Sequence, residues 1–246
     1  KQKLLYLVHR LPYPPNKGDK IASFNLLRFL ADRYDIYLGT FIDDPADRPH
    51  RAVLDDYCVE VCAPEIRPSL ARLASLRGLL SGEPLSLPYL RHAVLQAWTT
   101  DVLERVRPSH VVVFSGPMAQ YVHGRIPDGT VTLFDMVDVD SEKWRSYGMR
   151  KRWPMSWLYR READRLLDFE RRMAAAFGDR RAVVRCVACA TDVIETVVGE
   201  GVVLWRLARG PAGFVGIGGP ISAEWLAENT ADRVHTFGTT FLALTF

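Results

Sequence analysis

The chain has 246 residues, 48% hydrophobic and 25% charged, with a formal net charge of +3. This is the profile of a soluble globular protein large enough for a substantial core, in one large domain or two small ones. It excludes a transmembrane helix, because no run of 18 apolar residues occurs; four cysteines are too few for a disulfide framework, and +3 is too small to imply nucleic acid by itself.

The start, Lys1-Gln-Lys-Leu-Leu, has no small-residue cleavage site and leads straight into a strand, so the chain reads as cytoplasmic. Leu4 to Val8 is an unbroken apolar run, as in a strand buried on both faces of a parallel sheet. Pro12, Pro14 and Pro15 lack an N–H and fix φ, so a loop follows. After Gly18 and Asp19, apolar residues at 21, 24, 26, 27, 29 and 30 form a helical stripe, with Asp19 the expected N-cap. A strand–glycine loop–helix unit aims free backbone N–H groups and a positive dipole end at any anion above the sheet. The single Gly18 is not G-x-G-x-x-G, and no G-x-x-x-x-G-K-[ST] occurs, which argues against nicotinamide and P-loop chemistry.

The next strand is expected at Ile36 to Ile42, a helix at Arg48 to Tyr57, and a short strand at Val59 to Cys62. This β-α-β-α-β alternation predicts an α/β fold: a Rossmann-like, doubly wound parallel sheet with helices on both faces. Residues 69–82 read as an amphipathic helix with Arg72 and Arg77 on its polar side, Glu83 to Tyr89 as a loop, and 91–106 as a helix ended by Pro108. Cys58 and Cys62, with Cys186 and Cys189, would bind zinc only if both pairs converged; buried thiols are the simpler reading, and no metal site is assigned.

His110 to Ser115 is the clearest strand, and Ser115-Gly116-Pro117 at its carboxyl end stands where open α/β sheets place ligands. A short helix, Met118 to His123, leads to the strand Val131 to Val137. Asp135, Asp138 and Asp140 cluster at its end. Structurally, Asp138 or Asp140 would cap the next helix with Ser141. Functionally, the carboxylates would bind sugar hydroxyls or act as a base; a metal site is the weaker third reading.

A basic, aromatic stretch runs from Lys143 to Arg161; between Lys143 and Arg172 there are ten Lys/Arg against four Asp/Glu. Trp144, Trp153 and Trp157 are interleaved with Arg150, Lys151 and Arg152, a combination suited to an anionic membrane surface. RNA would also suit it, as would a plain solvated helix with its stems lying over apolar surface. Residues 162–177 continue as a helix whose apolar positions 163, 166, 167, 169, 173, 174 and 177 would pack on the sheet.

Pro12-Tyr-Pro-Pro-Asn-Lys-Gly-Asp-Lys20, Gly82-Glu-Pro-Leu-Ser-Leu-Pro-Tyr89, Phe134-Asp-Met-Val-Asp-Val-Asp-Ser141 and Trp153-Pro-Met-Ser-Trp157 occur together. With them, residues 3–177 resemble the bacterial sugar transferases of PEP-CTERM/exosortase exopolysaccharide loci, within the family 4 glycosyltransferases. The resemblance implies the N-terminal half of a GT-B fold, two Rossmann-like domains facing across a cleft. It also implies retaining, metal-independent transfer from a nucleotide sugar, the co-substrate in place of a cofactor, to a lipid-linked or saccharide acceptor. Asn16, Lys17, Gly18 and Asp19 would then form the donor-phosphate loop. Asp135, Asp138 and Asp140 would be the catalytic candidates, with Ser115, Gly116 and Lys143 on the acceptor side. Trp144, Arg150, Lys151, Arg152, Trp153 and Trp157 would face the inner surface of the cytoplasmic membrane, and nucleic acid is not an expected partner.

After Phe177 the pattern departs from that family, which would continue into a nucleotide-sugar domain with an E-x7-E-type donor motif. Residues 178–246 read instead as an atypical, Gly-rich and finally apolar tail, too short for a second domain of usual size and expected to arise from a truncated or altered reading frame. Rival readings are a non-catalytic module that binds a saccharide, a membrane surface or a partner chain, and an unrelated small-molecule enzyme on the same fold.

Overall fold

A computed structural model describes residues 1–137, 140–178 and 182–185. Its frame is a six-stranded, wholly parallel sheet in the order β3-β2-β1-β4-β5-β6: β1 Gln2–Val8, β2 Tyr34–Gly39, β3 Glu60–Cys62, β4 His110–Phe114, β5 Val131–Asp135 and β6 Ala182–Arg185. The expected Rossmann-like α/β architecture is therefore present. The strand order reverses between β1 and β4, the position at which such sheets bind ligands beyond their carboxyl ends.

Leu4 to Val8 are all buried, as the unbroken apolar run requires of a central parallel strand. Their side chains alternate between two cores. Leu4, Tyr6 and Val8 join Phe24, Leu27 and Leu30 of α1 (Gly18–Ala31) on one face. Leu5 and Leu7 join Leu95, Met118, Tyr121 and Phe169 on the other. Helical segments therefore cover both faces, and the anticipated helical stripe is partly realised: Phe24, Leu27 and Leu30 go inward while Ile21 stays exposed.

Several elements differ from their expected form. The segment expected to be helical from Arg48 is a 3-10 run, Pro45–Asp56, started by Asp44, whose carboxylate accepts from Ala46 N at 3.0 Å, and carrying Pro49 inside, which removes an α-helical donor. Lys20 reaches this run from α1, its Nζ 2.5 Å from Asp47 Oδ2 in a pair sealed from solvent. The 69–82 helix is two, α2 (Pro68–Ser75) and α3 (Arg77–Ser81), and the 83–89 loop ends in one helical turn, α4 (Ser86–Tyr89). The next helix is α5 (Ala93–Asp101), continued by a π turn, Val102–Val106. The Met118 helix is a 3-10 turn, Gly116–Tyr121.

After β5 come α6 (Asp140–Arg150) and α7 (Met155–Gly178), an antiparallel pair held close because Gly148 has no side chain: a Cβ there would lie 3.1 Å from Arg160 Cγ. On α7, Ala163, Leu166, Phe169, Met173, Ala174 and Phe177 are buried at the expected helical spacing, and Phe177 stacks on Phe134 of β5 at 4.8 Å. Residues 179–181 and 186–246, most of the expected tail with Cys186 and Cys189, lie outside the described residues. Burial pushes the Cys58 thiol up to about 12 and the Cys62 thiol up to about 11, which suppresses thiolate chemistry at both.

Candidate functional site at the carboxyl edge of the sheet

Because β1, β4 and β5 are parallel and in register, Val8 pairs with Phe114 and Phe114 with Asp135. The glycine loop leaving β1 and the acidic end of β5 therefore open on the same edge of the sheet, with only β4 between them, about 10 Å apart at ordinary strand spacing. Asn16, Lys17 and Gly18 are exposed on that edge. Lys17 is the extended N-cap residue of α1 and makes no side-chain cap, so the first N–H groups of the helix are not capped by it.

Asp19 is not the cap. It lies in the first turn, where its carboxylate meets His9 Nε2 at 3.3 Å and Arg10 Nη1 at 2.9 Å. The His9 hydrogen bond and the Arg10 charge hold the carboxyl far below its usual range, against the opposing effect of partial burial. The Nε of Arg10 also lies 3.0 Å from Asp43 Oδ2 beyond β2, so one guanidinium ties the ends of β1, β2 and α1. The His9 ring lies parallel to Phe114 at the end of β4, with centroids 6.4 Å apart. His9 Nδ1 and Asp43 Oδ1 are buried and lack a hydrogen-bond partner among the described residues. Sequence reasoning passed over His9, Arg10 and Asp43; the available signal was their place immediately after apolar strands that end at this edge.

A Cβ built on Gly18 or on Gly116 would meet no heavy atom within 4 Å; Gly18 is exposed, so a ligand can approach its backbone, whereas Gly116 is buried. Ser115 sits at φ 88°, in the region costly to a side-chain-bearing residue, and its N–H donates to Asp135 O at 2.7 Å. Val137, on the next strand end, is also left-handed at φ 66°, with its N–H donating to Asp135 Oδ1 at 3.0 Å. Strain at two adjacent strand ends marks the positions where the fold over-determines its backbone.

The carboxylates divide. Asp135 is only 2% exposed, and its charge adds to the burial that pushes the Tyr6 phenol well up. Asp138 lies outside the described residues. Asp140 opens α6 from within the helix. The N–H and Oγ of Ser141 are instead taken by Glu170 of α7, at 3.2 and 2.6 Å. Ser115 and Gly116 stand on the edge between the glycine loop and Asp135, while Lys143 is exposed on the first turns of α6.

Of the expected membrane-facing set, Arg150, Lys151, Arg152, Trp153 and Trp157 are exposed at the α6–α7 turn. Trp144 is half-buried against Tyr147 and Tyr159, at 6.0 and 5.3 Å. An open concavity of about 540 Å³ lies along α7, lined from Trp153 and Trp157 to Asp164 and Asp168. Among the described residues no helix is long and apolar enough to cross a membrane, and no group of three or more His, Cys, Asp and Glu could hold a metal ion. Compared with known proteins, the chain matches no family model, no curated protein and no solved structure.

Proposed function

We propose that the chain is the acceptor-side domain of a retaining, nucleotide-sugar-dependent glycosyltransferase of exopolysaccharide synthesis, working with a donor-binding domain at the inner face of the cytoplasmic membrane. The observation that carries this reading is the shared carboxyl edge: an open glycine loop at a helix N-terminus and an acidic strand end, on either side of the strand-order reversal. In such a transfer the bond from the sugar to the leaving diphosphate breaks, the acceptor oxygen bonds to the same face of the sugar, and the acceptor proton passes to the leaving phosphate. The N–H groups of α1 and the Lys17 ammonium would meet the diphosphate charge. Asp19 would otherwise repel it, and its pairing with His9 and Arg10 offsets that repulsion. Asp138 and Asp140 would hold acceptor hydroxyls, Asp135 would brace the strand end behind them through Val137 N, and the exposed turn of α6–α7 would lie against lipid.

The inward setting of Asp135 favours a second reading, a saccharide-binding module without chemistry of its own. Saturation-transfer NMR and transfer assays with a panel of uridine, guanosine and cytidine diphosphate sugars distinguish the two. Gly18→Val adds a side chain where space is open, so the fold should survive while nucleotide-sugar binding weakens about tenfold or more through loss of backbone approach. Binding of no nucleotide sugar by the native chain would remove the donor-loop reading. Binding unchanged in Gly18→Val would move the ligand off the β1 loop.

A further inference from the structure

The α2–α3 segment is amphipathic the wrong way round. Its inward positions are small: Ala71, Ala74 and Ser75 are half-buried and Gly78 is buried, with a Cβ at 78 only 3.0 Å from Glu83 O. Its leucines point out. Leu70, Leu73, Leu76 and Leu80, three or four residues apart, are 56, 66, 49 and 93% exposed, and α2 has no buried residue at all. Amphipathic helices ordinarily turn their large apolar residues inward; here these residues face outward. A run of large leucines in water, over a seat of small residues, has the form of a surface made to be covered.

The segment that carries these leucines is fastened to α7 one turn from Trp157. Arg161 of α7 donates through Nη2 to Gly78 O at 2.5 Å and to Glu83 O at 3.3 Å, and the next residue, Glu162, accepts from Leu85 N and Ser86 N at 2.6 and 2.9 Å. Trp157 lies one helical turn before Arg161 on α7, about 5–6 Å along the axis. Trp153 and Met149 follow at the turn, 81 and 70% exposed. Both elements project from the carboxyl edge of the sheet, since α2 follows β3 and α6 follows β5.

Charge indicates what covers them. Residues 66–82 carry three arginines and no Asp or Glu; residues 143–161 carry seven Lys/Arg and no Asp or Glu. Apolar anchors carried on two stretches with a clear excess of Lys and Arg match an anionic lipid interface, where leucine and tryptophan enter the acyl boundary while arginines meet headgroups, with Asp164 and Asp168 set back along α7.

We propose that the leucine face of α2–α3 and the tryptophan turn of α6–α7 are two halves of one docking surface for an anionic bilayer, strapped together by Arg161. The proposal rests on the membrane part of the function proposed above and is independent of whether a nucleotide sugar is bound. The test is co-sedimentation of the full chain with vesicles of phosphatidylcholine alone or with about 30% phosphatidylglycerol. It compares the native chain, Leu73→Ser/Leu76→Ser/Leu80→Ser and Trp153→Ala/Trp157→Ala, with circular dichroism to confirm that each is folded and light scattering for mass. The native chain should bind only the anionic vesicles, and each variant should lose about tenfold or more in partitioning.

If the leucine variant binds as the native chain does and the tryptophan variant does not, the two-part surface is wrong while the tryptophan turn still faces lipid. If the native chain binds neither vesicle, both membrane statements fall, and nucleotide-sugar binding remains to be judged on its own assay. If the native chain is a dimer that the leucine variant dissolves, the face joins copies of this chain instead. Equal binding of native and leucine-variant chains to heparin and to vesicles would reduce the surface to a polyanion patch.

Discussion

Glu162 and Glu170 stand just over two turns apart on α7, and each reaches into a different segment to take up its hydrogen-bond donors. Three donors converge on Glu162: Leu85 N, Ser86 N and Ser86 Oγ, the last at 2.7 Å. Among the described residues two reach Glu170, both from Ser141, and the like charges of Asp140 and Glu142 face it. At 170 the cost of burial outweighs the two hydrogen bonds, and the carboxyl is pushed up to about 7. One residue type on one helix thus fastens the α3–α4 segment in one place and holds a proton close to neutrality in another. At Glu170 two hydrogen bonds from Ser141 work against burial and two like charges, and burial is the larger.

The largest expected effect comes from emptying the better-served site. Glu162→Ala leaves two backbone N–H groups of the α4 turn without an acceptor, 76 and 77 residues away in sequence. Loss of a buried charged acceptor with several donors costs about 3–5 kcal/mol. Urea unfolding should show a drop of that size, and hydrogen exchange at Leu85 and Ser86 should rise well above the global rate. A loss under about 1 kcal/mol would mean that the segment is held chiefly by Arg161 and apolar packing, and that the two glutamates differ less than their surroundings indicate.

Glu170→Gln sharpens the other side. The folded-state value of Glu170 lies above the ordinary one, so the native chain binds this proton more tightly than the unfolded chain does. The associated stability is fully present below about pH 4.5 and is lost as pH rises through about 7, a change of roughly 3 kcal/mol in all. Gln keeps an oxygen acceptor for Ser141 and cannot ionise. Relative to the native chain it should therefore gain stability between pH 5 and pH 8 by an amount of that order. Unfolding curves that run parallel at every pH would show that Glu170 does not titrate in this range.

Both glutamates lay beyond sequence reasoning, for a physical reason. Turn chemistry and periodicity are local, whereas Glu170 meets a serine 29 residues away and Glu162 a turn more than 70 residues away. A cap for α6 was sought in Asp138, Asp140 and Ser141 because caps are usually adjacent; here one of the expected helpers, Ser141, is itself the donor to a remote carboxylate. Lys20 escaped notice in the same way, reading as an ordinary charge on α1 until its contact with Asp47 is seen.

What was legible is what depends on continuous pattern. The buried run Leu4 to Val8 and the spacing on α7 both translated directly into packing. Two strands end earlier than the apolar pattern predicts, at Gly39 and Asp135 instead of Ile42 and Val137, because burial outlasts pairing: Phe41, Ile42 and Met136 remain in the core after the strands have ended. At the candidate site, the common edge of the glycine loop and acidic strand end followed from the β-α-β alternation. The pairing of Asp19 with His9 and Arg10, which decides its charge environment, did not.

The smallest and most specific test of the comparison removes one donor from the poorer site. In Ser141→Ala the backbone N–H still reaches Glu170 while the Oγ bond at 2.6 Å is gone. That bond favours the ionised carboxylate, so its loss should carry Glu170 further in the direction burial already takes it. Carbon-13 NMR titration of the Glu170 carboxyl would read the change directly. The stability cost should be about 1 kcal/mol at pH 8, where the carboxylate needs the donor, and smaller at pH 5, where it carries its own proton. A titration midpoint that stays in place, or falls, would mean that the Ser141 hydroxyl does not favour the carboxylate, leaving burial and the like charges of Asp140 and Glu142 to set the midpoint.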